Sequence, residues 1–193
     1  MTVKLCYIDT ETTGLDAKRH GIIQLAAVME IDGEEVSTFS EKMRPASTCA
    51  ADPSALEISG NTVEMIKTYR QESEVYRDFV EWLGQFVGKF DKLDKAFFCG
   101  YNSPFDVEFV RALFERNGDK FFGSWFWSGS IDVMGAALWA LRDQRSKLEN
   151  FKLGTIASHV LGSRVAELTA EAGLHDALTD IRLTRELHMR IRA

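Results

Sequence analysis

The sequence predicts an α/β fold in which helices pack on a mixed β-sheet. Three observations favour this class: strand-like apolar runs come early in the chain, helical patterns come later, and one strand–helix unit lies between them. Apolar residues make up 45% and charged residues 27% of the 193 residues, a composition typical of globular proteins. This length suits one domain, so residues 1–193 are interpreted as a single domain.

The first three strands are predicted at residues 3–8, 22–31 and 36–43. Each is a short apolar or alternating run rich in β-branched side chains. The Asp32-Gly33-Glu34 step between the second and third runs is typical of a hairpin turn. We therefore expect an antiparallel meander at the start of the chain.

The helices are predicted from apolar periodicity and from turn residues. Residues 73–87 form an amphipathic pattern with Ser73 as the N-cap. After a short strand at residues 96–99, Ser103-Pro104 begins a helix that ends near Asn117-Gly118, with Ser103 as its N-cap. Further helices are expected at residues 131–141, at residues 153–161, and from 175 or 176 to the end.

The formal net charge of −6 argues against a protein that binds nucleic acid through overall positive charge. It does not exclude a local metal site, because a bound cation dominates the field around it. Three cysteines without zinc-like spacing fit a reducing compartment. With no signal peptide and no apolar run of membrane-spanning length, a cytoplasmic protein without a membrane partner is predicted.

Asp9 and Glu11 are the first candidate site residues. They lie two positions apart at the end of a predicted strand, so their side chains point to the same face of the sheet. Two carboxylates on one face repel each other, and a divalent metal ion such as Mg²⁺ or Mn²⁺ relieves the repulsion. A strand that simply reaches the surface is the alternative interpretation for this pair alone.

Two later motifs carry further candidates. Asp106 follows Gly100-Tyr101-Asn102 in the first turn of a predicted helix, where a carboxylate also suits the helix dipole. His175 and Asp180 lie at the start of the last helix, where either can also be an ordinary surface residue. Each motif alone is therefore ambiguous.

The ordered set of motifs resembles the DEDD exonuclease superfamily in its DEDDh branch, the DnaQ-like or RNase T-like nucleases. The matching residues are Asp9-x-Glu11-Thr12-Thr13-Gly14-Leu15, Asn102-x-x-Phe105-Asp106 and His175-Asp176-Ala177-x-x-Asp180. Weaker matches extend the resemblance over nearly the whole chain. Gln24 stands where many relatives carry Glu, and Tyr101 where many carry His. The resemblance implies an RNase H-like fold with a mixed five-stranded sheet flanked by helices.

The resemblance also implies roles for these residues. Asp9, Glu11, Asp106 and Asp180 would hold two Mg²⁺ ions, for which Mn²⁺ can substitute, and His175 would be the general base. The products would be nucleoside 5′-monophosphates released from a 3′ end. The implied substrate-binding residues are Thr10, Glu11, Leu15, Asn102, Phe105 and His175. For Leu15 and Phe105 core packing is the alternative, and for Phe105 we favour it.

The implied partner is nucleic acid with a free 3′ end, with single-stranded DNA slightly preferred over RNA. An RNA-trimming exoribonuclease or oligoribonuclease is the alternative within the enzyme class. From a different class, a catalytically inert nucleic-acid-binding module is the alternative, which the intact acidic positions disfavour. A homodimer is a further expectation drawn from the resemblance.

Two other features have competing interpretations. The basic residues of the segment 142–152 can steer a substrate backbone, although we favour a solvated linker; they are Arg142, Arg145, Lys147 and Lys152. The aromatic cluster at residues 121–127 can stack bases or contact a partner, although we favour core packing.

Overall fold

The computed structural model describes residues 2–170 and 176–192. In this part of the chain a mixed sheet of six strands has the order β4-β3-β2-β1-β5-β6. The strands are β1 (Lys4–Thr12), β2 (Ile22–Ile31), β3 (Glu34–Arg44), β4 (Arg70–Gln71), β5 (Ala96–Gly100) and β6 (Phe126–Asp132). Five of them have five or more residues, as many strands as the family resemblance implies, and the two-residue β4 is added at one edge.

The first three strands form the predicted antiparallel meander, whereas β5 and β6 add to it in parallel. The turn between β2 and β3 is formed by Asp32 and Gly33, both of which have positive φ (51° and 95°). This backbone conformation is that of a type I′ hairpin, whose twist matches the twist of the strands.

Helices cover both faces of the sheet. They are α1 (Pro53–Ile58), α2 (Val63–Thr68), α3 (Glu72–Leu83), α4 (Ser103–Arg116), α5 (Val133–Ala140), α6 (Leu153–Leu161), α7 (Arg164–Leu168) and α8 (Ala177–Ile191). Cys6 and Ile8 of β1 pack with α3 and α4 in one core cluster. Leu5 and Tyr7, whose side chains point the other way, pack with α8. The two sides of β1 therefore face different helices.

Three local predictions are corrected by the structure. The predicted helix at residues 131–141 is instead the end of β6 followed by α5, because the Asp132 carboxylate accepts hydrogen bonds from the Met134 and Gly135 N–H groups. The N-cap of α3 is Gln71 rather than Ser73, with Glu74 completing a capping box. The N-cap of α4 is Asn102 rather than Ser103.

In the described residues no helix combines the length and apolarity that crossing a membrane requires. Cys6 and Cys99 are buried, as their apolar surroundings in the sequence predict.

Candidate active site

Asp9 and Glu11 lie near the carboxyl end of β1, the central strand that pairs with β2 on one side and β5 on the other. Because side chains alternate along a strand, both carboxylates share the face of Leu5 and Tyr7, which is the face covered by α8. The predicted common face is therefore present, and it points toward the helix that carries Asp180.

Asp180 joins these two carboxylates. One carboxylate oxygen from each of Asp9, Glu11 and Asp180 lies within 4.8 Å of the other two. Asp180 lies in the first turn of α8, so the docking of this helix on the sheet brings the third carboxylate to the pair.

Gln24 fixes the start of α8 beside the carboxylates. It lies directly opposite Glu11 in the β1–β2 ladder, and its amide Nε2 donates to Asp176 Oδ2 over 2.9 Å. Asp176 is the N-cap of α8 and accepts a hydrogen bond from the Thr179 N–H (3.1 Å). An amide at position 24 can donate to this carboxylate, which a Glu side chain in its ionised form cannot.

Asp106 reaches the same region from the opposite face of the sheet. It is 3% exposed, and its Oδ1 accepts hydrogen bonds from both the backbone N–H (3.0 Å) and the hydroxyl (2.8 Å) of Thr10. The Thr10 side chain points away from Asp9 and Glu11 because it occupies the intervening position of β1. Asp106 is thus attached to the strand between the two carboxylates without belonging to their three-residue cluster.

A tight turn at the end of β5 sets the position of Asp106. A Cβ on Gly100 would lie 3.0 Å from the Ile8 carbonyl oxygen, so the close approach of the backbones favours glycine. Asn102 then adopts a left-handed conformation (φ 61°), and its N–H donates to Asp132 Oδ1 over 2.9 Å. The Asp132 carboxylate at the end of β6 therefore fixes the N-cap residue of α4.

The pKa values of these carboxylates are raised by burial and by the charges of the neighbouring carboxylates. Removal from water raises the pKa of Asp9 well above its usual range, and the charges of Asp106, Asp180 and Glu11 raise it further. Burial, together with Asp180 and Asp176, raises the pKa of Glu11 to about 7. Such a group of acids is costly to ionise unless a cation joins it.

The pKa of Asp106 is raised as well, but the balance of causes differs. Burial raises its pKa to about 7, although the two hydrogen bonds from Thr10 act in the opposite direction. These bonds stabilise the ionised form, which is the form that can bind a metal ion.

The donor set of Asp9, Glu11 and Asp180 fits a divalent metal ion. Hard carboxylate oxygens are the ligands that Mg²⁺ and Mn²⁺ prefer, and a cation at this point offsets the repulsion that raises the pKa values of Asp9 and Glu11. The chemistry of the acidic cluster therefore fits a divalent metal site.

Leu15 lies four residues beyond Glu11 and is open to solvent, with 82% of its surface exposed. The turn that carries it is held from below by the buried His20, whose ring would lie 2.4 Å from a Cβ on Gly14. His20 Nε2 lies 3.2 Å from Asp52 Oδ2. Core packing, the alternative for Leu15, is therefore wrong.

The other predicted site residues have varied surroundings. Asn102 is exposed, whereas Phe105 packs against the core with its ring centroid 4.8 Å from that of Phe109. Trp125 and Phe126 of the aromatic cluster are buried, while Phe121 is half exposed. His175 lies outside the described residues.

The sequence does not reveal that Thr10, Gln24, His20 and Asp132 make contacts that hold the site together. It marks Thr10 only as a candidate substrate contact, and Gln24 only as a departure from relatives. An Asp immediately before a helical pattern is an N-cap signal, which would have identified Asp132. The Thr10–Asp106 and Gln24–Asp176 contacts cross between distant elements and have no local signal.

Comparison with known proteins decides the family. The family model RNase_T, described as an exonuclease, matches residues 6–187. The chain belongs to this exonuclease family. The predicted family and the RNase H-like fold class are thereby confirmed.

Within the RNase_T family, similar curated proteins are DNA polymerases III of the PolC type. That of Latilactobacillus sakei subsp. sakei (strain 23K) is 37% identical over 109 residues, which are 56% of this chain and 7% of the polymerase. That of Oceanobacillus iheyensis is 27% identical over 152 residues, 79% of this chain and 9% of the polymerase. The chain spans less than a tenth of the length of these relatives.

Solved structures of exonuclease I from E. coli share the fold. The complex with a dA16 oligonucleotide aligns with a TM-score of 0.72 at 20% identity, covering 96% of this chain and 40% of the exonuclease. The zinc-bound form described as an ExoI–ssDNA complex aligns with a TM-score of 0.71 at 21% identity, covering 100% of this chain and 41% of the exonuclease.

Proposed function

We propose that residues 1–193 form one exonuclease domain that removes nucleotides from the 3′ end of single-stranded nucleic acid, with DNA preferred, by metal-dependent hydrolysis. The observation that carries this proposal is the convergence of Asp9, Glu11 and Asp180 oxygens within 4.8 Å of one another at the end of the central strand. The carboxylates would hold the metal, and the nearby groups would bind and orient the 3′ end.

The metal ligands proposed are Asp9, Glu11, Asp106 and Asp180. Two Mg²⁺ ions held by these residues would lower the pKa of a bound water and stabilise charge on the leaving 3′ oxygen. Thr10 keeps Asp106 in place and favours its ionised form. His175 is proposed as the general base, because an imidazole with an ordinary pKa near 6.5 can take the proton of the attacking water at neutral pH.

The substrate contacts proposed start from the exposed Leu15, which would pack on the terminal base. Glu11 and the backbone at Thr10 would contact the terminal 3′-hydroxyl, and Asn102, Phe105 and His175 would line the pocket near the scissile phosphate. The exposure of Leu15 and Asn102 supports this assignment, since both side chains are open to a ligand. The products are nucleoside 5′-monophosphates.

The preference for DNA is supported by the relatives. The curated relatives are DNA polymerases, and the exonuclease I structures hold single-stranded DNA. An exoribonuclease is the alternative. Parallel degradation of 5′-labelled single-stranded DNA, duplex DNA and RNA of one sequence distinguishes the two, because the proposal expects the highest kcat/KM for single-stranded DNA.

The reaction itself is tested with a 5′-labelled single-stranded oligonucleotide and Mg²⁺. The wild type should shorten the labelled strand one nucleotide at a time, since the label stays on the shrinking product. EDTA should stop the reaction, and Asp9→Asn should lower kcat at least about 100-fold, because it removes a metal ligand.

Glu57→Gln is the matched control, because it removes one exposed carboxylate of α1 that does not belong to the acidic cluster. It should behave as the wild type. Immediate release of the labelled terminal nucleotide would show the opposite polarity, and full activity of Asp9→Asn would refute the proposed site.

A further inference from the structure

Trp139 stands on the outer face of α5, with 72% of its surface exposed. The inner face of this helix consists of Val133 and Ala137, which pack with Leu187 of α8. Trp139 lies two residues beyond Ala137, roughly 200° around the helix axis, and therefore points away from the core. Exposing so large an apolar ring to water is unfavourable in free energy, and packing in the core does not offset this cost.

Arg142 packs against this indole. Its Nη1 donates to the Trp139 carbonyl oxygen over 2.8 Å, and its Cζ lies 4.6 Å from the indole ring. Its ion pair with Asp143 (3.5 Å) is solvent-exposed and therefore weak. The two side chains form a flat aromatic surface with a fixed positive charge beside it.

The segment that follows α5 is basic, unlike the rest of the chain. Residues 142–152 contain four basic and two acidic side chains, whereas the whole chain has a net charge of −6. Arg145 is held by the Leu148 carbonyl oxygen (2.5 Å), while Lys147 and Lys152 are exposed. A polyanion is the complementary partner for such a segment.

The basic segment and α5 are both attached to the turn between β5 and α4, the helix that carries Asp106. The Tyr101 hydroxyl donates to the Phe151 carbonyl oxygen over 2.5 Å, and Asp132, the N-cap of α5, accepts the Asn102 N–H. Trp139 lies seven residues beyond Asp132, or roughly 10 Å along the helix axis. At about 3.4 Å per stacked nucleotide, this distance is about three nucleotides.

We propose that Trp139 and Arg142 form a binding site for single-stranded nucleic acid, in which a base several nucleotides upstream of the 3′ end stacks on the indole and its phosphate pairs with the guanidinium. The site rests on the proposed function and extends it. Aromatic rings with neighbouring cations bind single strands without strong sequence preference. This assignment replaces the solvated-linker interpretation of the segment 142–152.

The test compares a dinucleotide with an oligothymidylate of twelve nucleotides, for the wild type and for Trp139→Ala. The dinucleotide reaches the acidic cluster but is too short to reach Trp139. The ratio of kcat/KM for the long substrate to kcat/KM for the dinucleotide should fall about tenfold in Trp139→Ala, which is within the range for loss of one stacked base. Trp139→Phe should retain most of this ratio.

Arg142→Gln tests the charge without removing the ring. Its KM for the long substrate should rise, and its salt dependence should lose a slope of about 0.7, the value for one phosphate contact on a single strand. Lys92→Ala is the matched control, because it removes an exposed cation from the 84–95 loop and should change neither quantity.

Binding without turnover gives an independent measurement. In EDTA, the oligothymidylate should quench the tryptophan fluorescence of the wild type, and Trp139→Phe should lose most of this quenching. An unchanged length ratio in Trp139→Ala would overturn the proposed site, as would a change of oligomeric state without a change in this ratio, which would mark a protein interface. A wild type inactive on both substrates would instead refute the proposed function.

Discussion

Thr10 connects the two faces of the central strand at the scale of single residues. Its neighbours Asp9 and Glu11 point toward α8, whereas its own hydroxyl and N–H bind Asp106 on the α4 side. The alternation of strand side chains thus places Asp9 and Glu11 on the α8 side and the Thr10 side chain on the α4 side. Thr10 is a positioning residue for the one carboxylate that lies outside the three-residue cluster.

Thr10→Val should lower kcat about tenfold, because it removes the hydroxyl donor to Asp106 while keeping the shape of the side chain. The loss of a hydrogen bond to a charged group corresponds to about 1.5 kcal/mol or more. Thr10→Ser keeps the donor and should restore most of the activity. Steady-state kinetics on a single-stranded oligonucleotide measures both, and a serine variant as slow as the valine variant would contradict the role of the hydroxyl.

The arrangement of the site residues can be predicted where it depends only on their neighbours in the sequence. The spacing of Asp9 and Glu11 places both on one face, which the structure bears out. That Asp106 approaches from the other face depends on where α4 packs, and the sequence has no local signal for that. The exposure of Leu15 likewise depends on His20, which fills the space beneath Gly14.

At the scale of secondary structure elements, α8 is the part that completes the site. It is attached to the sheet at its start through Gln24 and farther along through Glu30 of β2, which is 1% exposed. Arg185 Nε donates to Glu30 Oε2 over 2.8 Å, and Arg192 lies 3.9 Å from the other oxygen. The position of Asp180 therefore depends on contacts along the whole helix.

Glu30→Gln should lower the free energy of unfolding by about 3 kcal/mol, because it removes the buried charged partner of Arg185 and leaves only the longer, more exposed ion pair with Glu35 (4.0 Å). Urea denaturation measures this change. Glu34→Gln removes an exposed carboxylate at the start of β3 and should change stability by less than about 0.5 kcal/mol. Equal effects of the two substitutions would show that the buried ion pair does not hold α8.

The sequence predicts the bounds of elements that have a clear apolar pattern, but not the bounds of elements that lack one. The apolar runs of β2 and α6 gave the bounds observed in the structure, Ile22–Ile31 and Leu153–Leu161. In β6 Gly129 has a positive φ (92°) and most side chains are only partly buried, so no clear alternation marks the strand. Its parallel pairing with β5 is a tertiary contact, which local sequence does not show. This pairing extends to Asp132, so β6 ends there and α5 follows.

At the scale of the whole molecule, the buried carboxylates of the candidate site make stability depend on pH. The pKa values of Glu11 and Asp106 are raised to about 7, whereas in the unfolded chain they lie near 4. Between these values the folded protein binds more protons than the unfolded chain. Without metal, the stability is therefore highest at low pH in this range and falls as the pH rises through 7.

In EDTA, the free energy of unfolding should decrease by roughly 5 kcal/mol between about pH 5 and about pH 8, since both carboxylates lose their protons over this range. Urea denaturation across this range measures the slope. Saturating Mg²⁺ should remove most of the decrease, because the metal stabilises the ionised carboxylates. The double variant Glu11→Gln, Asp106→Asn should also have a flatter profile, and a metal-free stability that rises over this range would contradict the account.

The central claim is that Asp9, Glu11 and Asp180 together hold a divalent metal ion. Calorimetric titration of Mg²⁺ or Mn²⁺ into the protein tests it most directly, because it does not depend on turnover. Asp180→Asn should weaken metal affinity at least about tenfold relative to the wild type and to Glu57→Gln, since it removes one of three converging ligands. Metal affinity equal to that of the wild type in Asp180→Asn would contradict the claim.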